Sequence, residues 1–466
     1  MLRWVSLGLA AACCLVLFRI GVTAPRRITL NANEGWNAYH AAGVVAGQPL
    51  YPSPAGLVLT TYPPLSFYIV GGLGKLIGDV MLAGRVLSLL SFVIWTIALA
   101  LTAHRLGCTP AEAAFAAGLF AVNMLVFADY YVGVNDPQLL AHGVAAFGPF
   151  ILLREPRTTS SLFVCALLFA ASIFVKHNLV AIPLACVVWL LLFDRPAGWR
   201  LMAYGALLGV TGFGACVTLF GLGFLEHVSS PRPSSIGKLV TMTREWMPWL
   251  VIPLAVLAIL IRRLPRDRHV AFGALLATIS TFAGVAGLGV VMVYWNATFD
   301  AAWGLSLTAA LALNRLPSVS RITEARLRMA IVAGYLAIPA AVVADSASIH
   351  WGSPRFWLDP RWSEVRSSAR EIEFLSAHPG PALCENMALC YWAGKPAEVD
   401  FFNMRARIHR DPWREDDLLR LLESRHFSVA QIDDLHLDLG PRFGDALERN
   451  YQLDHRGRWG SLFVPQ

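Results

Sequence analysis

The feature that most constrains this 466-residue chain is a series of apolar runs of near membrane-spanning length, joined by connections that alternate between arginine-rich and arginine-poor. The runs fall at roughly 4–23, 80–103, 111–128, 137–153, 160–175, 177–193, 200–222, 247–262, 270–293, 297–314 and 328–346. A bilayer core of about 30 Å takes about 20 helical residues. Hydrocarbon satisfies no backbone N–H or C=O, so segments of this kind must close their hydrogen bonds within a helix. With 15% charged residues and a mean hydropathy of +0.54, the chain is far from the roughly 25% charged average of soluble domains. The expected fold is an all-α polytopic membrane bundle of about 11 spans plus interfacial helices, with a small C-terminal α/β domain outside the membrane.

Residues 1–25 resemble a signal peptide, with Arg3 before the apolar run Val5 to Leu17. No small-residue cleavage site follows, which reads as a retained first span. Basic connections recur at His104–Arg105, Arg154–Arg157, Arg195–Arg200, Arg262–Arg268 and Arg315–Arg328. The connections between them carry almost no arginine. The positive-inside rule puts the basic set and the N-terminus in the cytoplasm, and an odd span count leaves the C-terminal part outside. The same topology accounts for the net charge of +7 without a nucleic-acid partner. Six of eight cysteines lie in or beside spans, where they pack as small apolar residues, and their spacing suggests no metal site.

Three segments break the pattern. Residues 24–79 form a long outer loop whose apolar second half, Pro63 to Gly78, reads as a helix lying in the interface. Residues 223–246 form a second outer loop, rich in Ser and Pro, with Glu226, His227, Arg232, Lys238 and Arg244. The domain division is therefore 1–347 in the membrane and 348–466 outside. The latter is charged, with strands expected at 382–384, 428–432 and 461–464 and helices at 364–377 and 415–424. Cys384 and Cys390 lie in this tail. An oxidising compartment permits a bridge, but their separation across a strand–helix junction argues against the geometry.

Candidate chemistry gathers on the outer side. Glu34 follows the first span in Asn31–His40; it is either a capping acid or a general base beside Trp36, Asn37 and His40. Asp136 sits before Pro137 and reads as the N-cap of the fourth span, a position that can still face a cavity. Lys176 and His177 interrupt an apolar hairpin, and Arg85 lies a few residues into the second span. Each cation is either an interfacial snorkelling residue or a phosphate contact. Asn296 and Asp300 follow at i, i+4 spacing at the outer end of the tenth span. No glycine-rich phosphate loop, nucleotide fingerprint or metal cluster is present in the sequence, so no cofactor is expected.

The ordered set Asn33-Glu34-Gly35-Trp36, Pro63-Pro64-Leu65, Arg85 within Ala83–Ser88, and Lys176 resembles the GT-C integral-membrane glycosyltransferases. Bacterial protein mannosyltransferases, lipid A aminoarabinose transferases and rhizobial lipopolysaccharide glycosyltransferases are the nearest in pattern. The resemblance covers the chain to about residue 200, and more loosely to 346. It implies a bacterial inner-membrane enzyme that moves a sugar from a polyprenyl-phosphate donor to a lipid, glycan or protein acceptor on the outer face, with inversion. It further implies that the first outer loop carries an acidic pair. Here the pair is Asn33–Glu34, so Glu34 is left as the base, with Asp136 as the second catalytic candidate. Relatives with a lysine before Pro-Pro use it near the donor phosphate, whereas this chain has Tyr62. Arg85 and Lys176 are then expected to hold the phosphate, and Asn37, His40, His177, Asn296 and Asp300 to line the substrate site. The competing reading is a transporter or flippase, which would show internal repeats and matching broken helices. A membrane scaffold would not explain an acid, an arginine and a lysine gathered on one face.

Overall fold

The computed structural model describes residues 1–53, 56–230, 232–320, 322–345, 361–410, 412–433 and 441–466. The expected boundary at 347/348 lies outside the described residues. Seven helices are long and apolar enough to cross a membrane: α1 Leu2–Thr23, α4 Val80–Arg105, α5 Pro110–Phe127, α10 Arg195–Phe220, α12 Ile236–Arg263, α13 Arg268–Leu288 and α15 Glu324–Asp345. Four shorter segments stand where the sequence places the remaining spans. They are the broken pair α6 Pro137–Ala145 and α7 Gly148–Leu152, then α8 Thr159–Val175, α9 Ala181–Phe193 and α14 Phe299–Arg315. The break between α6 and α7 is a departure from the single span expected at 137–153. Pro149 has no N–H to donate to the carbonyl of residue 145, and its ring would crowd that carbonyl.

The core is built on small residues. The buried faces of α5 (Ala113, Ala116, Ala117, Ala121) and α14 (Ala301, Ala309, Ala310, Ala312) are alanine-rich. Lipid tails give helices no hydrophobic reason to associate, so close backbone approach and dispersion hold such a bundle. Trp95, Trp189 and Trp303 fill the gaps between these narrow helices. The arginine-rich connections share one end of the bundle, where several of their arginines are paired. Arg157 meets Asp194 at 2.8 Å and Glu155 at 3.2 Å, and Arg328 meets the buried Glu112 at 2.9 Å.

The opposite end carries α2 Asn33–Val45, α3 Leu65–Ile77 and α11 Leu222–Val228. It also carries a four-stranded sheet in the order β1-β2-β4-β3: β1 Ala382–Cys384, β2 Val429–Ile432, β3 Tyr451–Gly457 and β4 Gly460–Pro465. β1 and β2 are parallel, with Leu383 opposite Ala430, and the other two pairings are antiparallel. Helices α16 Trp362–Ala377, α17 Met387–Trp392, α18 Phe401–Arg410, α19 Glu415–Glu423 and α20 Pro441–Asn450 complete this unit. Phe401, Met404, Leu418, Leu422, Phe427 and Tyr451 pack in a core separate from that of the bundle.

The C-terminal unit docks on α2. A Cβ on Gly35 would lie 2.1 Å from the Ala388 backbone nitrogen, so only glycine lets α17 approach this closely. Tyr39 Oη donates to the Lys395 carbonyl at 2.7 Å, and Asn386 Oδ1 lies 3.1 Å from Thr29 Oγ1. The Cys384–Cys390 bridge is formed, with Cα atoms 6.1 Å apart. This corrects the expectation from the strand–helix junction. The chain turns back through Asn386 into the short α17, which brings both sulfurs to one side.

Candidate functional site

A polar cavity of about 350 Å³ lies at the C-terminal-domain end of the bundle, among its lining residues Asn33, Lys176, Arg232, Asn296 and Asp300. Beside it an apolar groove of about 550 Å³ runs between α8, α9 and α10, floored by Phe169, Ile173, Phe174, Val187 and Phe213. His177 and Val228 line both, so groove and cavity are continuous.

Glu34 and Arg85 are not in this cavity. Arg85 donates through Nε to Glu34 Oε1 (2.8 Å) and through Nη2 to Oε2 (2.7 Å). Its remaining donors go to the carbonyls of Ala24 (2.9 Å), Arg26 (2.7 Å) and Ile28 (2.6 Å). A guanidinium has five N–H groups, and all five are used. Glu34 also accepts from the backbone N–H of Leu30 (2.9 Å) and Asn135 (3.1 Å), and neither residue has exposed surface. This bears on both of the roles expected for them. Glu34 has no oxygen turned toward a substrate, and Arg85 has no donor left for a phosphate. The pair closes the turn after α1 and fastens it to α4.

Asn37, on the same face of α2 as Glu34, and His40 beside it are also engaged within the protein. Asn37 Nδ2 donates to the carbonyls of Asn33 and Asn135, both at 3.0 Å. His40 packs edge-on against Trp36 and Phe67 and reaches Thr60 Oγ1 at 3.3 Å. Burial, with His227 nearby, lowers its pKa to about 3, so it stays neutral. The residue of the expected pair that does line the cavity is Asn33, whose amide cannot accept a proton at neutral pH.

The remaining candidates meet. Asp136 caps α6 as expected, accepting from Gln138 N–H at 2.8 Å, and it accepts a second bond from Lys176 Nζ at 2.9 Å. Its Oδ2 receives Asn33 Nδ2 at 3.4 Å. The Lys176 ammonium also sits 4.7 Å from the centre of the Tyr62 ring. Asn296 and Asp300 both line the cavity, although a 3₁₀ turn at Trp295–Thr298 separates them from a common helix.

A hydrogen-bond chain behind Asp300 was not anticipated. Tyr131 Oη donates to Asn296 Oδ1 (3.1 Å), and Asn296 Nδ2 donates to Gln138 Oε1 (3.1 Å). Gln138 is thereby oriented with Nε2 toward His142 Nε2 at 2.9 Å. An amide NH₂ only donates, so that ring nitrogen accepts and the proton belongs on Nδ1. Nδ1 lies 3.1 Å from Asp300 Oδ1, an electrostatic contact that is not aligned as a hydrogen bond. The imidazole is stacked on Trp95 at 3.9 Å and 4°. Gln138 and His142 carry the one available sequence signal: two polar residues at i, i+4 on an otherwise apolar helix share a face. Arg232 and Phe402 also reach the cavity, and for Phe402 no sequence signal existed. Among the described residues no group of three or more His, Cys, Asp or Glu stands together as a metal site.

The chain has the fold of the GT-C membrane glycosyltransferases, as its motifs implied. Residues 61–221, about a third of the chain, match the family described as dolichyl-phosphate-mannose-protein mannosyltransferase. Two structures of ArnT from Cupriavidus metallidurans are similar over nearly the whole length. The undecaprenyl phosphate complex has 15% identity and a TM-score of 0.62, covering 98% of each chain. The apo state has 14% identity and a TM-score of 0.64, covering 99% of this chain and 97% of that one. No curated protein sequence matches.

Proposed function

We propose that this protein transfers a sugar from a polyprenyl-phosphate carrier to an acceptor hydroxyl, with inversion, at the extracytoplasmic face of a bacterial inner membrane. The observation that carries this reading is the continuity of groove and cavity at His177 and Val228. An apolar channel takes a prenyl chain, and a cation-lined polar chamber takes its phosphate and sugar. The ArnT structure with undecaprenyl phosphate supports the same ligand class. The arginine-rich loops at the opposite end of the bundle support the orientation.

Lys176 and Arg232 hold the donor phosphate. Lys176 supplies a point charge beside Asp136, and Arg232 a planar fork. Asp300 is the general base, because Asn33 cannot serve and Asp136 Oδ1 is committed to Lys176 and Gln138. The acceptor oxygen bonds to the anomeric carbon as the carbon–oxygen bond to phosphate breaks. Polyprenyl phosphate leaves with that electron pair, and Asp300 takes the acceptor proton. The cations stabilise the charge growing on the leaving phosphate.

The test is genetic and biochemical. Cells lacking the protein should accumulate a lipid-linked sugar, and the purified full chain should bind undecaprenyl phosphate. An unchanged lipid-linked pool together with no binding overturns the reading.

A further inference from the structure

Arg232 enters the cavity from the connection between α11 and α12, and two other segments reach it there. Its Nη2 lies 3.3 Å from Thr61 Oγ1, in the connection between α2 and α3, and 3.4 Å from Asn403 Oδ1, in α18 of the C-terminal unit. The guanidinium carbon is 5.9 Å from the centre of the Phe402 ring. Both hydrogen bonds are long. Nε and Nη1 hydrogen-bond no described residue, whereas Arg85 spends every donor it has. Arg232 is thus aimed without being consumed.

The aim originates in the C-terminal unit. Asn403 Nδ2 lies 2.5 Å from Asp400 Oδ2, and its backbone N–H donates to Asp400 Oδ1 at 3.1 Å. An ionised carboxylate only accepts, so the amide nitrogen must face Asp400 and the amide oxygen must face Arg232. Asp400 has no exposed surface, and its own N–H donates to the Leu57 carbonyl at 2.9 Å. The Arg407 guanidinium donates to the neighbouring Gly56 carbonyl at 2.8 Å. The start of α18 is therefore tied to the loop that precedes Thr61, and Asp400, Asn403 and Arg232 form one directed series.

We infer that the C-terminal domain completes the donor-phosphate site, with Asn403, oriented by Asp400, and the face of Phe402 acting as positioning residues that hold Arg232 ready for the phosphate. The inference rests on the reading that Arg232 binds that phosphate. Its physical basis is preorganisation. An arginine on a Ser- and Pro-rich connection would otherwise lose its rotamer freedom on binding, and an acceptor fixed on a second domain removes that cost beforehand.

The experiment measures undecaprenyl phosphate affinity for the full chain in lipid nanodiscs, with undecaprenol as the phosphate-free control. The variants are Arg232→Ala, Asn403→Ala and the double variant. Loss of one charged hydrogen bond corresponds to roughly tenfold in affinity, which is the drop expected for Arg232→Ala. Asn403→Ala should lose roughly half that free energy, about threefold. Its effect should vanish in the Arg232→Ala background, since a positioning residue has nothing left to position. Undecaprenol affinity should not change in any variant. Phe402→Leu keeps the apolar fill without the ring face and should couple to Arg232 in the same way, which covers the case of an unstable Asn403→Ala. Equal losses on both backgrounds, or no loss in either C-terminal variant while Arg232→Ala is weakened, overturn the inference alone. Full affinity in Arg232→Ala overturns the phosphate assignment and the inference with it.

Discussion

Glu34 and Arg85 face each other inside the bundle through two parallel hydrogen bonds, at 2.8 and 2.7 Å, with no surface of either residue exposed. Two ions in such surroundings repay their desolvation only when every remaining donor and acceptor is filled, as here. The three carbonyls on Arg85 and one of the two backbone N–H groups on Glu34 come from the connection after α1, and the other N–H comes from the loop before α6, so with Glu34 on α2 and Arg85 on α4 the pair joins four parts of the chain. The pair is a clamp outside the cavity lining.

Glu34→Gln should consequently act on stability before it acts on chemistry. Removing one partner of a buried pair leaves the other charge uncompensated, at a cost of about 3–5 kcal/mol. The expected result is a lower yield of inserted protein and a clear drop in melting temperature in detergent. A variant that melts like the wild type yet fails to transfer sugar would return Glu34 to the reaction.

Asp300→Asn should leave undecaprenyl phosphate binding intact and lower turnover by roughly 10²-fold or more, as removal of a general base does. His142→Gln keeps a donor near Asp300 but loses the ring stacked on Trp95. It should give a smaller loss of turnover than Asp300→Asn. Full turnover in Asp300→Asn would move the base to Asp136.

The parts of this architecture legible in the sequence are those that depend on one residue type in one place. A lipid-facing helix must be apolar throughout its length, so the apolar helices, their alternating basic connections and the separate helix α3 could be read directly. The α6–α7 break could not, because a proline in an apolar run kinks one helix and interrupts another according to its neighbours. Partnership was likewise hidden. The sequence shows that Glu34, Arg85, Asp136 and Lys176 are costly in a membrane, but not that Glu34 takes Arg85 while Lys176 takes Asp136. That choice depends on how α2 rotates, which turns Asn33 to the cavity and Glu34 inward. Phe402 and Asn403 lie 102 and 103 residues beyond Asp300 in the sequence, and the docking of the C-terminal unit on α2 and on the loop before Thr61 brings them back.

Gly35→Ala should report on that docking. The added Cβ would meet backbone atoms of Met387 and Ala388 at 2.1–2.7 Å, and backbone cannot swing aside as a long side chain can. The expected outcome is a C-terminal unit that is cleaved faster in limited proteolysis, with the membrane bundle still intact. Donor affinity should fall at the same time, because Asn403 moves with the unit. Protection equal to the wild type would mean that the interface tolerates a shift of this size.

Asp400 gives the docking a pH dependence whose sign can be worked out. Burial raises its pKa to about 6, against the pull of Asn403, the Trp36 indole and Arg232, which lower it. The unfolded carboxyl titrates near the ordinary value of 3.8, so the folded chain binds the extra proton across the window between 3.8 and 6. Asp400 therefore adds stability as pH falls through 6 toward 4, and that contribution is lost as pH rises above 6. Other groups titrate over the same range, so the informative quantity is the difference in melting temperature between the wild type and Asp400→Asn. That difference should shift toward the wild type on going from pH 8 to pH 5, by the equivalent of about 1.4 kcal/mol, one pH unit below the folded pKa. A difference that stays flat across this window would show that Asp400 is ionised at both ends of it, and that the Asn403 amide alone meets its need for hydrogen bonds.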